Sequence, residues 1–338
     1  MSTSACYPRS GSRTRWWSSG LAHALAVSLG WACFAQDSAP APGGDAVGLS
    51  VKMPRSLNGR EVLPAAADGD YCVLLVGHAY GNHRHKKSIQ PARNLLGNID
   101  LINGTEPAFV SLLGDNVRTP REDRVAALRD SFAAAVPAPV FASPGEHDLM
   151  RGMDAYEQAF GPAYYRIELG SELFVMLDTG DSKSDTECDP AQLTFFEDAL
   201  SHARASTHIE NVIVLMHKVA WVRLPRYEGL RPLINNDRDG GFWASIYPAL
   251  REAARTRQVF VGAGDIGHKS YGFILDVNPE DQITYFATGL ADRPSDSIVQ
   301  LQIPTEGPIA IRAVSLTDRP IQEEAATLDG FIRWGADG

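Results

Sequence analysis

The chain has 338 residues, 44% of them hydrophobic and 21% charged, which is globular rather than disordered composition and enough for one large α/β domain or two smaller ones. Its net charge is −10 and its isoelectric point is near 5.4, and the densest positive run, HRHKK at 83–87, is short. Nucleic acid is excluded as the main partner, because phosphate binding needs a broad basic face.

Arg9, Arg13 and Arg15 precede an apolar stretch, LAHALAVSLGWACFA (21–35), in which Cys33 and Ala35 stand at the −3 and −1 positions before Gln36. This is the layout of a secretory signal peptide, so segment 1–35 is expected to be removed and the chain exported, to a periplasm or outside the cell. A retained anchor is the alternative, although the stretch is short for a membrane span. No later segment is apolar enough to cross a bilayer, so no stable membrane span is expected after processing. Residues 36–69 begin with a Pro-, Gly- and Ala-rich run and read as a linker and extension. The folded domain is expected over 70–320 and a C-terminal tail over 321–338. Export permits disulfides, and Cys72 and Cys188 are the cysteines that remain, either as a bridge or with Cys72 as a buried inert thiol.

YCVLLVG (71–77) is a continuous apolar run ending in Gly, the pattern of a strand buried on both faces. PARNLLGNIDLING (91–104) has helical spacing interrupted by Gly97, AFVSLLGD (108–115) is a second buried strand, and REDRVAALRDSFAAAV (121–136) is an amphipathic helix with acidic residues in its first turn. PVFASPG is a short strand followed by a helical MDAYEQAFG. YYRIELGSELFVMLDTGD (164–181) reads as two antiparallel strands joined through Gly170-Ser171. A helix over 193–205, a strand over 211–217, a helix over 242–256 and a strand over 258–265 follow, then four β-type segments from YGFILDV to IAIRAVSL. The order predicts an α/β layered fold, a sandwich of sheets flanked by helices.

Five of these strands end at groups able to bind a metal or a proton: His78 and Tyr80, Asp115, Glu146 with His147 and Asp148, His217, and Asp265. Any one has an ordinary explanation as a turn or a loop histidine. Five at one edge of the sheets, where α/β proteins keep their ligands, form a mixed carboxylate and imidazole set suited to a divalent ion such as zinc, manganese or iron.

In spacing and flanks, residues 70–290 resemble the calcineurin-like metallophosphoesterases. That family carries Asp-x-His, Gly-Asp, Gly-Asn-His-Asp/Glu, His and Gly-His-x-His at five strand ends. Gly114-Asp115-Asn116 matches the second motif, Gly145-Glu146-His147-Asp148 the third with Glu146 in place of Asn, and His217 the fourth. The first motif is replaced by His78-Ala79-Tyr80. The fifth falls on Gly264-Asp265-Ile266-Gly267, or in another register on Gly267-His268 with Ser270 last, and Asp265 is preferred because it ends the apolar run.

The resemblance implies a layered metallophosphoesterase-like β-sandwich and a hydrolase that acts on a phosphate mono- or diester through a metal-activated water. It implies two ions bridged by the second-motif Asp. One set is full in altered form (Asp115, Glu146, His217, Asp265), while the other is thin (His78, Tyr80, Asp115 and a Gly without a side chain). One or two ions per chain are expected, with one held tightly. By the same resemblance His147 is the proton donor to the leaving group, oriented by Asp148. A small or phosphorylated molecule is the expected partner. The alternatives are a non-catalytic or single-metal relative that binds a phosphorylated or saccharide ligand, and an esterase acting on something other than phosphate. His83 and His85, with Arg84, Lys86 and Lys87, read as a solvated loop or as an anion-holding rim.

Overall fold

A computed structural model describes residues 54–63, 67, 69–180, 188–234, 241–266 and 272–318. The expected signal peptide, most of the linker, the Gly267-His268 register and the C-terminal tail lie outside the described residues.

Among the described residues, eleven strands form two sheets. The first holds β1 (Tyr71–Val76), β2 (Phe109–Leu113), β3 (Val140–Ser143), β10 (Ser297–Ile303) and β11 (Ala310–Ser315), in the order β11-β10-β1-β2-β3. The second holds β4 (Tyr165–Leu169), β5 (Glu172–Met176), β6 (Asn211–Met216), β7 (Gln258–Ala263), β8 (Phe273–Asn278) and β9 (Ile283–Thr288), in the order β4-β5-β6-β7-β9-β8. β1, β2 and β3 run parallel, as do β5, β6, β7 and β9, while β10, β11, β4 and β8 pair antiparallel.

The uniform apolarity of the parallel strands follows from burial on both faces. Val73 and Leu75 of β1 point into a core between the sheets, where they meet Phe174, Ile213 and Phe286 of the second sheet. Leu74 and Val76 point the other way, into a layer with Leu128, Phe132, Tyr156 and Phe160. The outer face of the second sheet buries Val212, Val214, Val259 and Val261 against Phe196, Trp221 and Leu250. The result is four layers, helix, sheet, sheet and helix, as the sequence pattern predicts.

The helices differ from expectation in ways local chemistry explains. The run 91–104 splits into α1 (Arg93–Leu96) and α2 (Ile99–Gly104) at Gly97-Asn98, and α3 (Glu122–Ser131) gives way to a 3₁₀ turn at Ala133–Ala135. After α4 (Met153–Phe160), helix α5 (Pro190–Ala205) starts three residues early, because Asp189 accepts from the Ala191 N–H at 3.1 Å and Pro190 takes the first turn. The segment 242–256 opens as a π-turn, Phe242–Ile246, before α6 (Tyr247–Ala253). Cys72 and Cys188 are free thiols, so no bridge joins them. Among the described residues no helix is long and apolar enough to cross a membrane.

The carboxyl ends of the parallel strands converge across the sandwich. Within each sheet pairing continues past the strand ends, where the Gly264 N–H donates to the His217 carbonyl at 2.9 Å and the His78 N–H to the Gly114 carbonyl at 3.2 Å, while Gly264 of the second sheet also abuts Leu113 of the first. Glycine permits this approach: a Cβ on Gly264 would lie 2.0 Å from the Leu113 carbonyl oxygen of the other sheet. Gly264→Ala is therefore expected to destabilise the protein by roughly 1–3 kcal/mol or more. Gly104→Ala, where a Cβ meets nothing within 4 Å, is expected to stay within about 0.5 kcal/mol of wild type. Denaturant unfolding of the two variants measures the contrast.

Candidate metal centre

His78 and Asp115 stand two residues past the ends of β1 and β2, after Gly77 and Gly114, and both adopt left-handed backbone, with φ of 56° and 53°. Such φ values are costly for residues other than glycine and persist where the surroundings enforce them. Here they turn both side chains back over the strand ends. Gly114, at φ 78°, completes the turn, and a Cβ there would lie 2.5 Å from the His217 ring.

The structure brings His78, Asp115, Glu146, His217 and Asp265 into one cluster. His78 Nε2 lies 3.2 Å from Asp115 Oδ2 and 3.2 Å from Asp265 Oδ1. His217 Nε2 lies 3.0 Å from Glu146 Oε2, 3.5 Å from Asp115 Oδ1 and 3.9 Å from Asp265 Oδ2. All but Glu146 are buried. The two sets expected from sequence share more than the bridging Asp115: His217 belongs to both groups of converging ligand atoms, His78–Asp115–His217 and Glu146–His217–Asp265. The His78 set, expected to be thin, is as tightly drawn as the other.

The Leu113 carbonyl can only accept, so its 2.9 Å contact fixes a proton on His217 Nδ1 and turns Nε2 toward the carboxylates. Histidine ligands are oriented in this way by a group on their far nitrogen. Neither His217 Nε2 nor Asp115 Oδ2 makes a directed hydrogen bond, although both are buried. Donor atoms bound at about 2.1 Å around a tetrahedral ion stand about 3.4 Å apart; His78 Nε2 lies 3.2 Å from Asp115 Oδ2, His217 Nε2 lies 3.5 Å from Asp115 Oδ1, and one ligand atom from each of the three residues falls within 4.8 Å of the others. The residues therefore fit one divalent ion held by His78, Asp115 and His217, with Asp265 Oδ1 beside them.

Burial opposes a charge on His217, but Asp115, Asp265 and Glu146 outweigh it and push its pKa up to about 10. Burial likewise opposes ionisation of Glu146 and Asp265, yet His217 and Lys218 hold both below the usual carboxylate range, with His78 adding to the effect on Asp265. Concentrated negative charge is thus the property of the site, and it calls for a cation.

Lys218 is the residue that sequence reasoning misses. Its Nζ lies 2.5 Å from Glu146 Oε2 and 3.4 Å from Asp265 Oδ2, at 1% side-chain exposure. The available signal was a lysine directly after an apolar strand, since lysine is rarely buried unless paired. Tyr80, placed in the thin set, is half-buried with its ring centroid 5.0 Å from those of His78 and His147. Burial, reinforced by Asp115 and Asp265, raises its pKa, so it stays a neutral phenol.

Asp148 requires a correction. It does not face the His147 ring, whose Nδ1 meets the Arg118 carbonyl at 2.8 Å. Its carboxylate is fully buried and accepts from the backbone N–H groups of Gly145, Asn116 and Val117 and from the Asn116 amide, at 2.9–3.1 Å. Burial, with Asp115 adding to it, pushes its pKa up to about 7 against those donors. Asp148 braces the loops after β2 and β3 against each other, and the His147 N–H in turn donates to Asp115 Oδ1 at 3.0 Å. In the loop at 83–87, His85 lies 3.6 Å from Asp292 and Arg118 donates to the His83 carbonyl, which ties this loop to the second-motif turn.

No family model matches the chain, and no curated protein is similar to it. Among solved structures, a purple acid phosphatase isolated from yellow lupin seeds is similar in fold, with a TM-score of 0.50 at 11% identity. The match covers 75% of this chain and 52% of that one, so the chain spans about half the length of the phosphatase. At that identity the likeness concerns the fold, two sheets flanked by helices, and the fold is metallophosphoesterase-like.

Asp148→Ala strands several buried donors and is expected to cost about 3 kcal/mol or more of stability while leaving metal uptake at native temperature intact. Asp115→Ala is expected to abolish metal uptake. Denaturant unfolding together with elemental analysis separates the bracing residue from the ligand.

Proposed function

We propose that the protein is an exported metal-dependent hydrolase of phosphate mono- or diesters. The observation that carries this reading is the convergence of two imidazole Nε2 atoms and three carboxylates at one strand edge, with two buried ligand atoms lacking directed hydrogen bonds. The metallophosphoesterase-like fold supports it.

His78, Asp115 and His217, with Asp265, would hold the ion. When bound, such an ion polarises a phosphoryl oxygen and lowers the pKa of water, which makes a nucleophile available at neutral pH. The chain's own residues do the rest. The Leu113 carbonyl holds His217 in the ligating tautomer, and the His147 N–H fixes the Asp115 carboxylate. The Arg118 carbonyl accepts from His147 Nδ1, so Nε2 is the atom that, when the ring holds both protons, passes one to the leaving oxygen and is left as the neutral ring's acceptor. Tyr80, neutral and packed edge-on against His147, supplies an O–H to the same side.

His147→Ala is expected to retain metal and to slow turnover by about 10²–10⁴-fold, most for esters with poor leaving groups. His217→Ala is expected to lose metal and activity together. Metal content and rates on a nitrophenyl ester and an alkyl ester measure both. Equal, modest effects from the two substitutions would favour the reading in which the domain binds a phosphorylated or saccharide ligand without turnover.

Export rests on the basic start, apolar centre and small-residue end of segment 1–35. The mature chain is expected to begin at Gln36. N-terminal sequencing that returns residues upstream of Gln36 contradicts this.

A further inference from the structure

Glu146, His217 and Asp265 form the second group whose ligand atoms converge, within 4.8 Å of one another. The Lys218 ammonium already lies against two of its three members. We infer that this ammonium is a resident cation in the place of a second metal ion, so that this cluster binds a single divalent ion, through His78, Asp115 and His217. The inference rests on the metal-dependent reading above and deepens it, by giving the number of ions and what fills the remaining position.

Placement is the first support. The Lys218 N–H donates to Thr179 Oγ1 at 2.9 Å, which anchors the root of the side chain beside His217. The ammonium is almost fully enclosed, so it cannot swing into solvent while the strand ends stay closed. Charge is the second. Asp115, Glu146 and Asp265 carry three negative charges, and one divalent ion with one ammonium carries three positive ones. A second divalent ion would leave a surplus of buried positive charge, which a low-dielectric site penalises heavily.

The third support is the chemistry of the two cations. An ammonium has only donors and offers no lone pair, so Lys218 cannot serve as a ligand while protonated. A metal between Glu146 and Asp265 would take the oxygens that pair the ammonium and place two cations in contact. Lysine and second ion exclude each other. The sequence pattern agrees, since the first motif has His78 where the resembled family has a carboxylate, which reduces the negative charge available for a second ion.

The test counts ions. The wild-type chain, Lys218→Ala and Lys218→Met are stripped with chelator, saturated with Mn²⁺ or Zn²⁺, dialysed and analysed for metal per chain. One equivalent in the wild type and two in at least one folded variant are expected. In parallel, metal-free Lys218→Met is expected to melt below the wild type and to gain more in Tm from Mn²⁺ than the wild type does. Variants that fail to fold without metal are refolded in its presence before counting. If neither variant folds even then, the wild-type count decides, with one equivalent in support. Two equivalents in the wild type overturn the lysine assignment and leave the metal-dependent reading standing. No retained ion in any of the three proteins overturns that reading itself. One equivalent in both wild type and folded variants shows that Lys218 is not what excludes a second ion, and every other pair of counts also overturns the inference.

Discussion

Three carboxylates, Asp115, Glu146 and Asp265, are drawn to one point where the ends of two sheets close together, and their mutual repulsion is the constraint the site is built around. Removing charges from water costs several kcal/mol for each ion unless a partner of opposite sign is present. Two imidazoles and an ammonium stand within 4 Å of these oxygens, and the directions of the pKa shifts express the same balance. Without cations the carboxylates would hold the strand ends apart.

The scaffold resists that repulsion with covalent geometry and backbone hydrogen bonds. Gly264 and Gly114 omit the side chains that would block the approach of β2 to β6 and β7. His78 and Asp115 accept left-handed backbone, a cost of order 1–3 kcal/mol each, so that their side chains turn inward. Asp148 braces the loops: its buried carboxylate gathers the N–H groups of residues 116, 117 and 145. A buried carboxyl thus organises the loops that present negative charge in the site, and burial with the Asp115 charge raises its pKa.

Much of this was legible in the sequence because it is local. Strands buried on both faces must be apolar throughout, so YCVLLV, FVSLL and NVIVLM announce themselves, and the residues that end them fall at one edge by parallel topology alone. Helix breaks at Gly97-Asn98 and the Asp189-Pro190 start are local as well, but periodicity across a window smooths over them. The carboxyl orientation of Asp148 was not legible. An acid beside a histidine suggests a pair, and only the fold reveals that the backbone of 116–117 competes for that carboxylate and wins with more donors. Lys218 was missed for a related reason: a lysine after a strand looks like the beginning of solvent until the opposite sheet closes over it.

The two sides of the cluster differ in what can leave. A metal ion held by His78, Asp115 and His217 would exchange with solvent, whereas the Lys218 ammonium is covalently part of the chain and lies beside Glu146 and Asp265. Part of the positive charge is thus permanent, and the strand ends can remain closed with the exchangeable ion absent. The cost falls on chemistry. A pair of ions can clamp the attacking and leaving oxygens together, but an enclosed ammonium acts on a phosphoryl group through its field rather than by contact. In the proposed reaction, stabilisation of the leaving oxygen would then fall to groups nearer solvent; His147 and Tyr80, both half-buried, stand ring against ring at 5.0 Å. A lysine in the place of an ion on one side would make the proton on the other side matter more.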